Sequence, residues 1–163
     1  MTIRALHYVL KVGNRKAAYE FFTDVLRMKA LRHEEYEQGC KASCNGPYNG
    51  KWSKTMIGYG SEDDHFVFEL TYNYEICSYK LGNDLRGITI ESDDLYKSIE
   101  GRDGSKKLQC GTLQIHDPDG HCFFICPGEG EPRVVKVGLM VQDIQRSVGR
   151  FTLHRTNRGF CGV

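Results

Sequence analysis

The sequence predicts an α+β fold of repeated strand–helix–three-strand units, and three observations predict it. In the first half, segments with a two-residue apolar alternation flank one segment of helical period. The same order recurs, shortened, in the second half. A third copy then begins within residues 132–151.

Ala5–Val12 alternates in character and is rich in Val, Leu and Tyr, which predicts a strand. Gly13-Asn14 ends it. Ala17, Ala18, Phe21, Phe22, Val25 and Leu26 recur at helical spacing and predict an amphipathic helix ending near Arg27. Leu31–Glu37 and Lys51–Tyr59 are the next two strands, separated by the turn-rich run Asn45-Gly46-Pro47-Tyr48-Asn49-Gly50. Gly60–Asp64 is a second turn, leading into the strand His65–Tyr74. These elements make a first unit over 4–77.

The second unit covers 86–127. Gly87–Glu91 is its first strand, and Asp93–Glu100 a short helix that Ser92 or Asp93 caps. A loop over Gly101–Gly104 and a strand over Leu113–His116 follow. The tight turn Asp117-Pro118-Asp119-Gly120 then leads to the final strand, Cys122–Cys126. Both units together define one domain, 4–128.

Beyond it, Val135–Asp143 matches Leu6–Asn14 in pattern, and Ile144–Phe151 starts a helix as Arg15–Phe22 does. Thr152–Val163 is polar and basic without an apolar period, which predicts a disordered tail of the kind a truncated or alternatively spliced product carries. An unfinished strand over Val134–Val141 leaves edges that invite self-association.

Bulk properties exclude several classes. A chain of 163 residues suits one domain with a real core. With 22 Lys+Arg against 21 Asp+Glu, the net charge of +1 gives no electrostatic case for nucleic acid or an anionic membrane. No apolar run approaches the roughly 20 residues that span a bilayer. The N-terminus lacks a secretory apolar region, and its basic, acid-free start is accounted for by the first strand and helix. Seven cysteines without an export signal predict reduced thiols and the cytoplasm. Cys40/Cys44 and Cys122/Cys126 have the wrong spacing for a zinc knuckle.

The chemistry-bearing candidates are few. His7 and Glu69 lie in strands that frame the first unit, and an imidazole with a carboxylate suits a borderline divalent metal. Read separately, His7 is also an ordinary interior histidine, and Glu69 a buried carboxylate bonded to Lys11 or Asn73. His116 and His121 flank a turn and read as surface residues. The aromatic residues of the first unit read as sheet packing, since no basic patch accompanies them. Arg32-His33-Glu34-Glu35 reads as a mixed-charge strand edge, and pattern alone leaves open whether it lines a cleft.

Repeated strand–helix–three-strand units, an early strand His and the motif Glu69-Leu70-Thr71-Tyr72-Asn73 make the chain resemble the vicinal oxygen chelate superfamily, and within it glyoxalase I and bacterial lactoylglutathione lyases. Arg32–Glu35, Gly39-Cys40, Cys44–Tyr48, Trp52–Met56 and Leu81–Asp84 resemble the glyoxalase domain-containing branch over about residues 4–150. That branch has longer members. The resemblance implies paired units whose mixed β-sheets curl into a cleft, a zinc or nickel ion held by four side chains, and a methylglyoxal–glutathione hemithioacetal as substrate.

By position, His7 and Glu69 are the ligands of the first unit. Those of the second fall on Gly87 and Phe124, which cannot ligate. The glutamate absent at Phe124 is the base that the reaction needs, so the resemblance implies a degenerate site with a divalent metal weakly bound or absent and no standard catalytic residue. Cys122 and Cys126 share the Phe124 side of their strand and His121 points the other way, but Cys122 lies roughly 6–7 Å from the expected position and Glu91 roughly 13 Å from that of Gly87.

Asn73 matches an asparagine that contacts glutathione, and Lys11 replaces an arginine, turning a bidentate clamp into a point charge. Two functions follow: a lactoylglutathione lyase-type handler of the hemithioacetal, or a non-catalytic member that binds a small anion or a protein partner. An extradiol dioxygenase wants two histidines and a carboxylate, and only one such histidine can be placed. The resemblance also admits association with mitochondria.

Overall fold

Phe21, Phe22, Phe68 and Phe123 meet at the centre of the molecule, and each element is placed by the face it turns toward them. The computed structural model describes residues 4–39 and 48–150. The tail expected at 152–163 and the thiols Cys40 and Cys44 lie outside them.

The first sheet contains β1 (His7–Lys11), β2 (Lys29–Tyr36), β3 (Trp52–Gly58) and β4 (Val67–Asn73) in the order β1-β4-β3-β2. β1 runs parallel to β4, and the other pairings are antiparallel. Helix α1 (Arg15–Glu20) follows β1, capped by Asn14, whose Oδ1 accepts from the Ala17 N–H at 3.0 Å.

Sequence period predicts one α-helix to about Arg27, but the structure widens after Glu20 into a π-helical turn, Phe21–Val25. There the Leu26 N–H donates to the Phe21 carbonyl at 3.0 Å and the Met28 N–H to that of Phe22 at 2.9 Å. Through this wider turn two rings adjacent in sequence reach the same cluster. Arg27, at φ 57°, ends the segment in the left-handed region.

The second sheet contains β5 (Leu85–Glu91), β6 (Lys106–Lys107), β7 (Leu113–His116), β8 (Cys122–Cys126) and β9 (Arg133–Leu139) in the order β6-β7-β8-β5-β9. Two-residue β6 is too short to show a period in the sequence. Helix α2 (Asp93–Ile99) is capped by Ser92, which accepts from the Leu95 N–H at 3.2 Å, while Asp93 instead accepts from the Gly128 N–H. α3 spans Ile144–Arg150.

Corresponding strands have different neighbours. β1 and β5 each open a unit and run parallel to its last strand, β4 and β8. The outer edge of β5 is covered by antiparallel β9, pairing Gly87 with Gly138 and Thr89 with Lys136. The outer edge of β1 carries no strand among the described residues.

Strand alternation sends Leu10, Ile57, Phe68 and Leu70 from the first sheet into one core with Ile88, Ile90, Phe123 and Ile125 from the second. Phe22, Leu26, Leu95 and Ile99 fill the space between from the helices. Phe22 lies 5.6 Å from Phe123 and 5.7 Å from Phe68, ring centre to ring centre, and the Phe68–Phe123 separation is 6.2 Å. No helix among the described residues is long and apolar enough to cross a membrane.

Phe22→Ala removes a fully buried ring that touches both sheets, so chemical denaturation is expected to show a loss of about 3–5 kcal/mol. A loss under about 1 kcal/mol would show that the sheets are held together elsewhere.

Candidate functional site

Cross-strand register places the predicted residues row by row. On the face of the first sheet turned away from the core, one row runs Arg32, Met56, Glu69, Val9, and the next Glu34, Lys54, Thr71, Lys11. His7 shares this face, opposite Val67. It is therefore offset from Glu69 by two residues of the parallel ladder, roughly 6–7 Å along the strands.

His7 is exposed. Glu69 is half-buried, and its Oε1 accepts from the Thr71 hydroxyl at 3.2 Å. The expectation that Lys11 or Asn73 satisfies Glu69 is thus corrected. Thr71, two residues along the same strand, shares its face and is nearer.

Charge on this face is balanced by pairs. Arg32 donates to both carboxylate oxygens of Glu62 at 3.1 and 3.0 Å, a bidentate geometry, and Lys54 lies 3.1 Å from Glu34. His33 and Glu35 alternate to the other side. There Glu35 takes hydrogen bonds from Tyr74, His33 and Arg15. Burial pushes the Glu35 carboxyl up, but those bonds outweigh it and hold it down at about 2. The motif Arg32–Glu35 is therefore an edge strand that serves both faces.

Lys11 and Asn73 are brought together by a residue that sequence reasoning missed. Tyr79, in the loop after β4, receives a hydrogen bond from Asn73 Nδ2 at 2.7 Å, and its ring lies 5.7 Å from Lys11 Nζ. A loop position with no period carries no signal for this. Asn73 is 1% exposed, and its Oδ1 has no protein partner among the described residues. Lys11 and Tyr79 line a cavity of about 560 Å³ with Leu85, His121 and Cys122.

Neither His7 nor Glu69 lines that cavity, and neither lines the one that holds Gly87 and Phe124. Those two meet on the open face of the second sheet, Phe124 in the row Lys136, Thr89, Phe124, Gln114 and Gly87 in the neighbouring row opposite Gly138. Gly87 has φ 151°, and a Cβ placed on it would stand 2.7 Å from Phe124 Cε2 and 2.9 Å from the Cys122 carbonyl oxygen. The phenyl ring occupies the room that a side chain at 87 would need.

The remaining candidates are engaged. Cys122 accepts from Gln114 Nε2 at 3.4 Å, and burial pushes its thiol up. Glu91 is 2.6 Å from Arg133. His121, expected at the surface, is 8% exposed, and its Nδ1 lies 2.7 Å from Asp117 Oδ2. Asp117 also accepts the His121 and Asp119 N–H groups, so this histidine locks the turn from inside. His116 is exposed, as expected.

Among the described residues no three of His, Cys, Asp and Glu come together as a metal-binding group. A closed zinc site needs four donors and a catalytic one three. His7 and Glu69 offer two, so the described residues do not fit a complete metal centre.

No family model matches the chain. It is 58% identical over 147 residues to "Glyoxalase 1" of Caenorhabditis elegans, covering 90% of this chain and 52% of that relative. It is 51% identical to "Glyoxalase domain-containing protein 4" of Rattus norvegicus, covering 51% of it. The chain thus spans about half the length of these relatives. To a lactoylglutathione lyase of Neisseria meningitidis it is 32% identical over 144 residues, covering 81% of this chain and 96% of that protein. Among solved structures, glyoxalase I from Zea mays superposes with a TM-score of 0.71 at 27% identity, over 90% of this chain and 52% of that one.

The contact at Gly87 yields a stability prediction. Gly87→Ala is expected to lose about 1–3 kcal/mol, because it combines a left-handed φ with a clash. Adding Phe124→Ala should return about half of that in a double-mutant cycle read by denaturation. A neutral Gly87→Ala would show that the ring does not fill the position.

Proposed function

The chain belongs to the glyoxalase I family, and from that premise we propose that its own residues bind a small anion of the glutathione-adduct type without turning it over. The carrying observation is the pairing of Gly87 with Phe124, on a face that neither His7 nor Glu69 shares.

Isomerising a hemithioacetal requires a base at carbon and stabilisation of the developing enediolate oxygens. Phe124 can accept no proton and donate to no oxyanion, and Gly87 has no side chain. On the first sheet, Glu69 is a carboxylate held by one hydroxyl, and His7 stands exposed beside it. This pair is half of a metal site, with weak affinity for zinc or nickel. The lyase reading therefore requires donors and a base from outside the described residues.

What these residues support is binding. Lys11 supplies a positive charge beside the Tyr79 ring on the wall of the 560 Å³ cavity, and buried Asn73 steadies that ring by donating to the Tyr79 hydroxyl. The carboxylate of a peptide-like anion is the complement of the Lys11 charge.

Lactoylglutathione formation from methylglyoxal and glutathione tests the proposal, on folded protein stripped of metal and reloaded with nickel or zinc. The expected rate is that of the metal-only blank. Metal-dependent turnover that disappears in Glu69→Ala would overturn the proposal and restore the lyase reading.

A further inference from the structure

We propose that the cavity on the open face of the second sheet binds an apolar carboxylate, meaning one carboxylate head on an aliphatic or aromatic body. The site is separate from His7 and Glu69 and stands independently of the reading given to them.

Its volume is about 500 Å³, in the range of sites that enclose small organic molecules. The backbone makes this room. Gly87 pairs directly with Gly138, so two facing strands present no side chains at that point. Phe124 closes the floor, and Tyr96, Pro127 and Val135 supply further apolar wall.

Charge at the rim selects the ligand. Arg86, Lys107 and Lys136 line the cavity against one carboxylate, Glu91. Lys107 is 2.7 Å from Glu100, and Glu91 is 2.6 Å from Arg133, so these charges are matched. Arg86 and Lys136 carry no ion pair among the described residues.

Two unmatched cations above an apolar floor favour an anion that can bury a hydrocarbon body. The head gains charge-assisted hydrogen bonds while the body leaves water. Cys110, an exposed thiol on the wall whose Sγ is 3.3 Å from Thr112 Oγ1, gives a local reporter of occupancy.

Calorimetric titration of the full chain with decanoate, below its micellar concentration, tests this against decanol and acetate. Decanoate is expected to bind at least tenfold more tightly than either and to slow alkylation of Cys110 by iodoacetamide severalfold. Lys136→Glu, at an exposed edge-strand position, should weaken decanoate at least tenfold with an unchanged melting curve. Arg86→Gln provides a second variant should that one melt early. His7→Ala should leave the affinity within twofold. Equal binding of decanoate and decanol, no binding of decanoate, or an unchanged affinity in folded Lys136→Glu would each overturn the proposal.

Discussion

The contact between Phe22 and Phe123 governs the rest of the molecule. One ring comes from the widened turn after α1 and the other from the centre of β8, and Phe68 of the first sheet closes the group. Because both sheets bury the same kind of face against these rings, both leave their opposite faces outside the core. His7 and Glu69 belong to one such face, Gly87 and Phe124 to the other. The division of the expected four-residue site is thus a consequence of core packing, set by strand alternation and not by local chemistry.

That division gives the two faces separate characters. The first is polar and its charges are largely matched, with Arg32 on Glu62 and Lys54 on Glu34, leaving an imidazole, a half-buried carboxylate and the Lys11–Tyr79–Asn73 cluster. The second is walled by rings and glycine backbone, with Arg86 and Lys136 at its rim in no ion pair among the described residues. A ring where a ligand would stand removes a donor and also fills space. Restoring histidine at 87 alone would meet both the ring and an unfavourable φ.

Much of the fold was legible in sequence because the strands are half-buried and alternate, and because Asn14 and Ser92 sit where caps are needed. Three features were not. The π-helical turn leaves the helical period nearly unchanged, so Phe21 and Phe22 look like any apolar pair. β6 is two residues long. The pairing of β9 with β5 is non-local, and it decides which faces share a cavity. At the site, Thr71 beside Glu69 was readable from alternation and was missed, whereas Tyr79 lies in a loop without pattern. His121 was misread because a histidine that follows a tight turn reads as exposed unless its bond back to Asp117 is known.

The most direct test of the central claim, that the described residues supply two metal donors and no more, is equilibrium binding of nickel to the folded full chain and to His7→Ala. Weak binding is expected, with a dissociation constant well above micromolar, as two protein ligands imply. His7→Ala, which leaves one of the two donors, should weaken it further without releasing any tightly held ion. One equivalent of nickel held below micromolar and released by His7→Ala would contradict the account, since it would require further ligands to converge on His7 and Glu69.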